Sequence, residues 1–180
     1  MKKALMLTLC IAIAAALNTD RASAQVSWMV GGRLGLSIYN SGSGAAGYYD
    51  PYYGYIAGTS STSAGLQIGP TAEVIFNRNL AVGSEFNINT QSGTPIEWSN
   101  FFKYYFPVPG SPIKPYADGG FSLFFYTGGP YFGIRFGGGA LFPVAKNLYI
   151  PADLQLGPVF GGGSTVFYLA ITTGVRYQIF

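Results

Sequence analysis

The sequence predicts an all-β protein: an eight-stranded antiparallel up-and-down transmembrane β-barrel, preceded by a cleaved signal peptide. Three observations carry that prediction. Eight stretches of chain alternate in hydrophobicity with period two, every charge within them falls on one parity, and glycine crowds that same parity. Period two sends successive side chains to opposite faces of a strand.

The beginning of the 180-residue chain stands outside this pattern. Lys2 and Lys3 precede an apolar run from Ala4 to Leu17, the polar stretch Asn18-Thr19-Asp20-Arg21, and the triplet Ala22-Ser23-Ala24. A charged start, a short apolar core and an Ala-x-Ala ending form the layout of a secretory signal peptide, so cleavage is expected after Ala24. The run is shorter than the roughly 20 residues of a spanning helix. Cys10, the only cysteine, follows Leu9 inside the run, where a lipoprotein signal would want a small residue. Residues 25–180 then form one domain with no thiol, hence no disulfide despite an oxidising destination. Removing residues 1–24 leaves seven basic and six acidic side chains, a net charge of +1. That is no nucleic-acid footprint.

The strands follow in order. Residues 28–39 alternate Trp28, Val30, Gly32, Leu34, Leu36 and Ile38 with Met29, Gly31, Arg33, Gly35, Ser37 and Tyr39. A second strand, 65–76, carries Glu73 on its polar parity and ends at the turn signal Asn77-Arg78-Asn79. The third, 80–89, sets Leu80, Val82, Ser84, Phe86 and Ile88 against Ala81, Gly83, Glu85, Asn87 and Asn89. The fourth, 96–106, carries Glu97 and Lys103 opposite Trp98, Phe102 and Tyr104; prolines break the pattern from Pro107 to Lys114. The fifth, 116–125, carries Asp118, and the sixth, 132–142, carries Arg135. After Pro143–Asn147 the seventh, 148–157, carries Asp153; beyond the glycine-rich 160–164, the last, 167–179, carries Arg176. Segments of about ten residues match tilted membrane strands.

Arg33, Glu73, Glu85, Glu97, Lys103, Asp118, Arg135, Asp153 and Arg176 thus share the polar parity, while Asp50, Arg78, Lys114 and Lys146 fall in connections. A charge at mid-depth facing lipid costs about 2–4 kcal/mol, which explains the exclusion if the apolar parity meets lipid. A lipocalin-like soluble barrel would show the same stripes with faces reversed. Three features place the charges inside. Glycines belong where eight strands converge on a narrow interior. Trp28, Phe76, Tyr104, Phe106, Phe142 and Tyr177 lie near apolar-parity strand ends, as an interfacial aromatic girdle does. Nine charges are too few to dissolve a whole outer surface. An even strand count returns both termini to the periplasm, putting the turns at 77–79, 107–114 and 143–147 there. The turns at 91–94, 127–130 and 160–164 and the long loop 40–63 are then extracellular.

The segment Ile96-Glu97-Trp98-Ser99-Asn100-Phe101-Phe102-Lys103-Tyr104-Tyr105-Phe106, followed by Lys114-Pro115-Tyr116-Ala117-Asp118-Gly119-Gly120, resembles the small outer-membrane β-barrel family of opacity and OmpX type. So do the opening Gly32-Arg33-Leu34-Gly35-Leu36 and the ending Gly174-Val175-Arg176-Tyr177-Gln178-Ile179-Phe180. The resemblance implies a cell outer-membrane location, contact with outer-membrane lipid and lipopolysaccharide, and folding through the outer-membrane assembly machinery. Phe180 departs from the pattern, one residue out of step with Tyr177 and Ile179.

With no histidine anywhere and no cysteine after cleavage, Ser-His-Asp and Cys-His catalysis and most transition-metal sites are excluded. No catalytic residue, cofactor or metal is expected. Glu73 and Glu85 lie nearly opposite across the Asn77–Asn79 turn, so an acid/base dyad is conceivable. The plainer reading makes them members of a lumen network with Arg33 and Lys103, while Lys103 and Asp118 face each other and Arg135 and Asp153 lie near a diagonal. Buried charges need partners, and eight strands leave room for little beyond side chains. A salt-bridged, plugged interior is therefore expected.

Gly42-Ser43-Gly44-Ala45-Ala46-Gly47 matches the dinucleotide fingerprint only in form, since no helix follows. Tyr48, Tyr49, Tyr52, Tyr53 and Tyr55 beside it offer a contact surface at low entropic cost, or simply rings resting on lipopolysaccharide or the barrel mouth. The second reading is favoured. The sequence as a whole points to a non-enzymatic outer-membrane protein with an envelope-structural or surface-interaction, adhesin-like role. A narrow pore for small solutes and a soluble lipocalin-like periplasmic barrel are the alternatives.

Overall fold

The computed structural model describes residues 26–41, 48–50, 52, 54–56, 61–76, 79–90, 95–126, 129–161 and 164–179. The expected signal peptide, Tyr53, Phe180 and the whole of the expected turn at 91–94 lie outside them. Ten strands form: β1 (Ser27–Ser41), β2 (Tyr48–Asp50), β3 (Gly54–Ile56), β4 (Ser61–Phe76), β5 (Leu80–Asn89), β6 (Ile96–Tyr105), β7 (Lys114–Tyr126), β8 (Gly129–Ala145), β9 (Leu148–Gly161) and β10 (Ser164–Ile179). Eight of them close into an antiparallel barrel in chain order, with β1 hydrogen-bonded to both β4 and β10. Closure leaves no sheet edge, which lipid could not satisfy. β2 and β3 pair as a separate hairpin within the long loop, with Tyr49 opposite Tyr55. Asp50 therefore sits in a short strand and not in open connection.

The strands overrun the stretches that alternation marks. β8 has 17 residues, and β1 and β4 stay paired as far as Ser41↔Ser61. Alternation reports only the depth at which one face must be apolar; the hydrogen-bonded ladder continues beyond it, where polar residues serve on either face. The expected turn at Pro143–Asn147 shrinks for this reason to Lys146 and Asn147, with Asn147 at φ 62°. Pro143 and Ala145 remain in β8 around a register shift against β9. Lys114, expected in a connection, is the first residue of β7.

Burial follows parity. Along β5, Ala81, Gly83, Glu85, Asn87 and Asn89 are buried, whereas Val82, Phe86 and Ile88 are exposed on the outer wall. Leu34, Leu36, Phe136, Leu154 and Ile171 are likewise exposed, while Arg33, Glu73, Lys103, Arg135 and Arg176 are buried. The charged face is inside and the apolar face outside, so the lipocalin-like alternative, which needs the reverse, does not fit. Trp28, Tyr104, Phe106, Phe142 and Tyr177 are exposed around the end of the barrel that carries the termini. The rings of Tyr104 and Phe106 meet edge to face with centroids 5.1 Å apart.

Inner-face glycine is required by close strand approach at particular places. A Cβ at Gly174 would run into the carbonyl oxygen of Gly32 and the Cα of Arg33. At Gly157 it would meet the carbonyl of Ile134. At Gly32, on the outer face, the nearest atom would be 3.9 Å away.

Candidate functional site in the barrel interior

The inward parity stacks three kinds of surface along the barrel axis. At the end holding the termini, Met29, Ile75, Ala81, Tyr105, Tyr116 and Leu141 pack together, with Tyr149 against them. At the loop end, Tyr39, Phe124, Val159, Tyr168 and Ala170 form a second cluster, joined by Tyr131 and Val166. Tyr39 and Tyr168 ring centroids lie 5.0 Å apart there, and Phe124 meets both edge-on. The charged residues occupy the layer between.

Glu85 is the hub of that layer. It accepts from Arg33 Nη1, from Arg135 Nη1 at 2.9 Å and from Arg176 Nη2 at 3.4 Å. These cations come from β1, β8 and β10, none of which is a hydrogen-bonded neighbour of β5. Two of the three guanidiniums are also held by neutral groups, while Arg135 Nε and Nη2 have no hydrogen-bond partner. Arg33 Nη2 donates to Gln155 Oε1 and Thr172 Oγ1, both at 2.8 Å, and Arg176 Nη1 donates to Thr71 Oγ1 at 2.8 Å. Such support matters, because desolvating an ion costs several kcal/mol that the pair alone does not always return.

Glu73 forms a second centre. It accepts from Lys103 Nζ at 2.8 Å and from the Tyr105 hydroxyl, with Arg176 Nη1 at 3.8 Å. Lys103 lies over the Tyr116 ring, 4.3 Å from its centroid, so its charge is met by a π face as well as a carboxylate. Asp153 accepts from Thr172 at 3.3 Å and lies 4.0 Å from Arg176.

The pairings foreseen from the turns are only partly formed. Lys103 and Asp118 are opposite in register, yet the ammonium bonds Glu73 and Asp118 Oδ1 has no hydrogen-bond partner. Arg135 turns away from Asp153, whose register partner is Gly139, and reaches Glu85. Glu73 and Glu85 are not opposed either: Gly83 faces Glu73 and Thr71 faces Glu85. Arg176 lies between the two carboxylates, 3.8 Å from Glu73 and 3.4 Å from Glu85, while Lys103 serves Glu73 and Arg33 and Arg135 serve Glu85. Side-chain reach, not strand register, decides these contacts, since a long arginine crosses the lumen more easily than it bends to its neighbour. Tyr105 and Tyr168, which the sequence reading did not single out, join the network through their hydroxyls. Their position on the charged parity was the available signal.

Away from the loop end, Ser84, Asn100 and Thr173 interrupt the apolar outer face. Trp98 Nε1 donates to Ser84 Oγ at 2.9 Å, Ser84 Oγ donates to the Ser99 carbonyl at 3.2 Å, and Thr173 Oγ1 donates to the Pro151 carbonyl at 2.8 Å. Asn100 Nδ2 is buried without a partner, and nothing in the structure explains it.

Solved structures share this architecture. Neisserial surface protein A superposes with a TM-score of 0.61 at 18% identity, covering 83% of this chain and 96% of that one. The N-terminal β-barrel domain of Pseudomonas aeruginosa OprF gives 0.60 at 12% identity, covering 85% and 97%. The fold is that of the small outer-membrane barrels. At these identities the likeness of the outer-membrane barrel fold is one of backbone architecture. The sequence matches no family model and no curated protein. Of the tyrosine loop, Tyr52 is 92% exposed; the side chains of Tyr48, Tyr49 and Tyr55, and all of Tyr53, lie outside the described residues.

Proposed function

We propose that the chain is exported by residues 1–24, folds into the cell outer membrane as residues 25–180, and serves there as a non-enzymatic envelope or surface protein. Its interior is a plug. The observation that carries this reading is the ordering of side chains across the wall: an apolar outer belt, and inside it a cross-bonded charged layer between two aromatic clusters. The belt suits lipid, where open backbone is not tolerated, and the inner layers fill the space a solute would use. The likeness to a neisserial surface protein supports the surface assignment. Acidic and basic groups that are committed to one another are poor acid/base catalysts, which supports the non-enzymatic reading. Outer-membrane lipid, lipopolysaccharide and the assembly machinery are the partners this location brings.

Two measurements test the proposal together. Protein from the outer-membrane fraction should run fast on gels unheated and slow after boiling, and should give no stable conductance of porin size in planar bilayers. A soluble periplasmic protein would overturn the location, and a stable open conductance would overturn the plug. The exposed Tyr52 supports a contact role for the loop hairpin, and deletion of 46–56 tests it. Loss of surface attachment with an unchanged gel shift supports contact, whereas unchanged attachment leaves the loop structural.

A further inference from the structure

Among the described residues Glu97 shares with Asp118 the lack of an ion pair, but of the two it is the one with a fully buried residue surface. Its side chain is fully buried, yet among the described residues no lysine or arginine nitrogen lies within ion-pair distance of it. Its hydrogen-bond partners are all neutral. Ser99 Oγ lies 2.7 Å and Ser122 Oγ 3.1 Å from Oε1, and the two hydroxyls are 2.5 Å apart, so one donates to the other and Oε1 is supplied by the remaining proton. Oε2 is served less well. Tyr168 Oη lies 3.3 Å away, but its single proton also faces Gln67 Oε1 at the shorter distance of 3.0 Å. Asn87 Nδ2 lies 3.4 Å from Oε2, a marginal hydrogen bond.

Asn87 supplies the second, independent observation. It is fully buried, and its Oδ1 has no hydrogen-bond partner. A buried acceptor left unmade is costly. Which end of an asparagine amide faces a neighbour is decided by what the neighbour needs. Turned over, Asn87 would direct that orphaned oxygen at the same space as Glu97 Oε2 and Tyr168 Oη. In the central layer Arg33, Lys103, Arg135 and Arg176 stand against Glu73, Glu85, Glu97, Asp118 and Asp153, and the remaining inner-face cation, Lys114, is held by Tyr149 nearer the end of the barrel.

We propose that Glu97 Oε2, Asn87 Oδ1 and Tyr168 Oη form a binding site for a monovalent cation, sodium being the probe of choice, beneath the aromatic cluster at the loop end. Hard cations take oxygen ligands, and one carboxylate among neutral oxygens balances one charge. Among the described residues no three His, Cys, Asp or Glu side chains converge as a multivalent site would want. Tyr168 belongs both to this site and to the aromatic cluster above it, so the ion would tie the charged layer to its cover. The proposal stands on the interior geometry and is independent of whether the protein acts as a plug or at the cell surface.

The test uses protein from outer membranes, held in detergent, with urea unfolding read by gel mobility in sodium chloride and in choline chloride at equal ionic strength. Sodium should lower the unfolding constant by about tenfold at about ten times its dissociation constant. Glu97→Gln should abolish the sodium-specific part, while Ser84→Ala on the outer wall should keep it. Identical unfolding of the wild type in the two salts overturns the site. A sodium effect that survives Glu97→Gln also overturns it, by placing the ion elsewhere. If Glu97→Gln does not fold, sodium nuclear relaxation decides: the wild type should broaden the resonance and Asn87→Ala should not, and an unbroadened wild-type resonance overturns the proposal.

Discussion

Arg135 Nη1 donates to Glu85 Oε2 at 2.9 Å across the lumen, although β6 and β7 lie between their two strands in the wall. The wall's backbone ladder and the interior's ionic ladder are therefore different graphs. One joins neighbours; the other braces strands that never touch through their backbones.

Glu85 should be the most costly single acid to lose. Glu85→Ala leaves Arg33, Arg135 and Arg176 without their shared partner in a buried layer, and removing one member of a buried pair costs about 3–5 kcal/mol. The urea midpoint of the gel-shift transition measures it. Asp118→Asn, where no ion pair is formed, should cost distinctly less. Equal losses would mean that the cross-lumen bonds contribute little.

The outer belt predicts a depth dependence. Ile171, exposed in the middle of β10, should lose about 2–4 kcal/mol on replacement by arginine, whereas Thr165, near the loop end of the same strand, should lose about 0–1 kcal/mol. Refolding equilibria into lipid vesicles read both. Equal and negligible costs at the two positions would remove the lipid-facing assignment.

Gly174 and Gly32 form a paired test of the close-approach argument. Gly174→Ala puts a methyl group against the Gly32 carbonyl and the Arg33 Cα, an overpacking that costs about 1–3 kcal/mol. Gly32→Ala, with its nearest atom 3.9 Å off, should stay within about 0.5 kcal/mol of the wild type. Thermal midpoints of the unheated band separate the two.

Ser84 should matter more than a lone outer-wall serine ordinarily does. Ser84→Ala leaves the Trp98 indole N–H without its acceptor in an apolar surrounding, at a cost of about 1 kcal/mol or somewhat more. Trp98→Phe in the same background should recover much of that loss, because no donor is then stranded. A double-mutant cycle on unfolding midpoints checks the coupling.

The number, facing and order of the barrel strands were legible in the sequence, though the β2–β3 hairpin was not, because a lipid-facing wall imposes period two on every strand and forbids charge on one parity. Arg33 and Ile171 illustrate it: each could be assigned inside or outside from its neighbours two residues away. Strand ends were less legible. Ser61–Ala64 and Gly129–Tyr131 pair within the barrel but lie beyond the depth at which alternation is enforced. Within the charged layer, membership could be read from parity, and partnership could not. Arg135 and Asp153 are close along the chain and stay apart; Arg135 and Glu85 are 50 residues apart and bonded.

By itself the sequence determined that the alternating part of the chain is one all-β barrel with its charges inside, because an alternation of lipid and lumen is local and repeats every second residue. Only the tertiary structure decided which charges meet, that the hydrogen-bond partners of Glu97 are all neutral, and that aromatic clusters bound the layer at both ends. Those relations depend on how far side chains reach across a closed interior, a distance that exists only once β1 has joined β10.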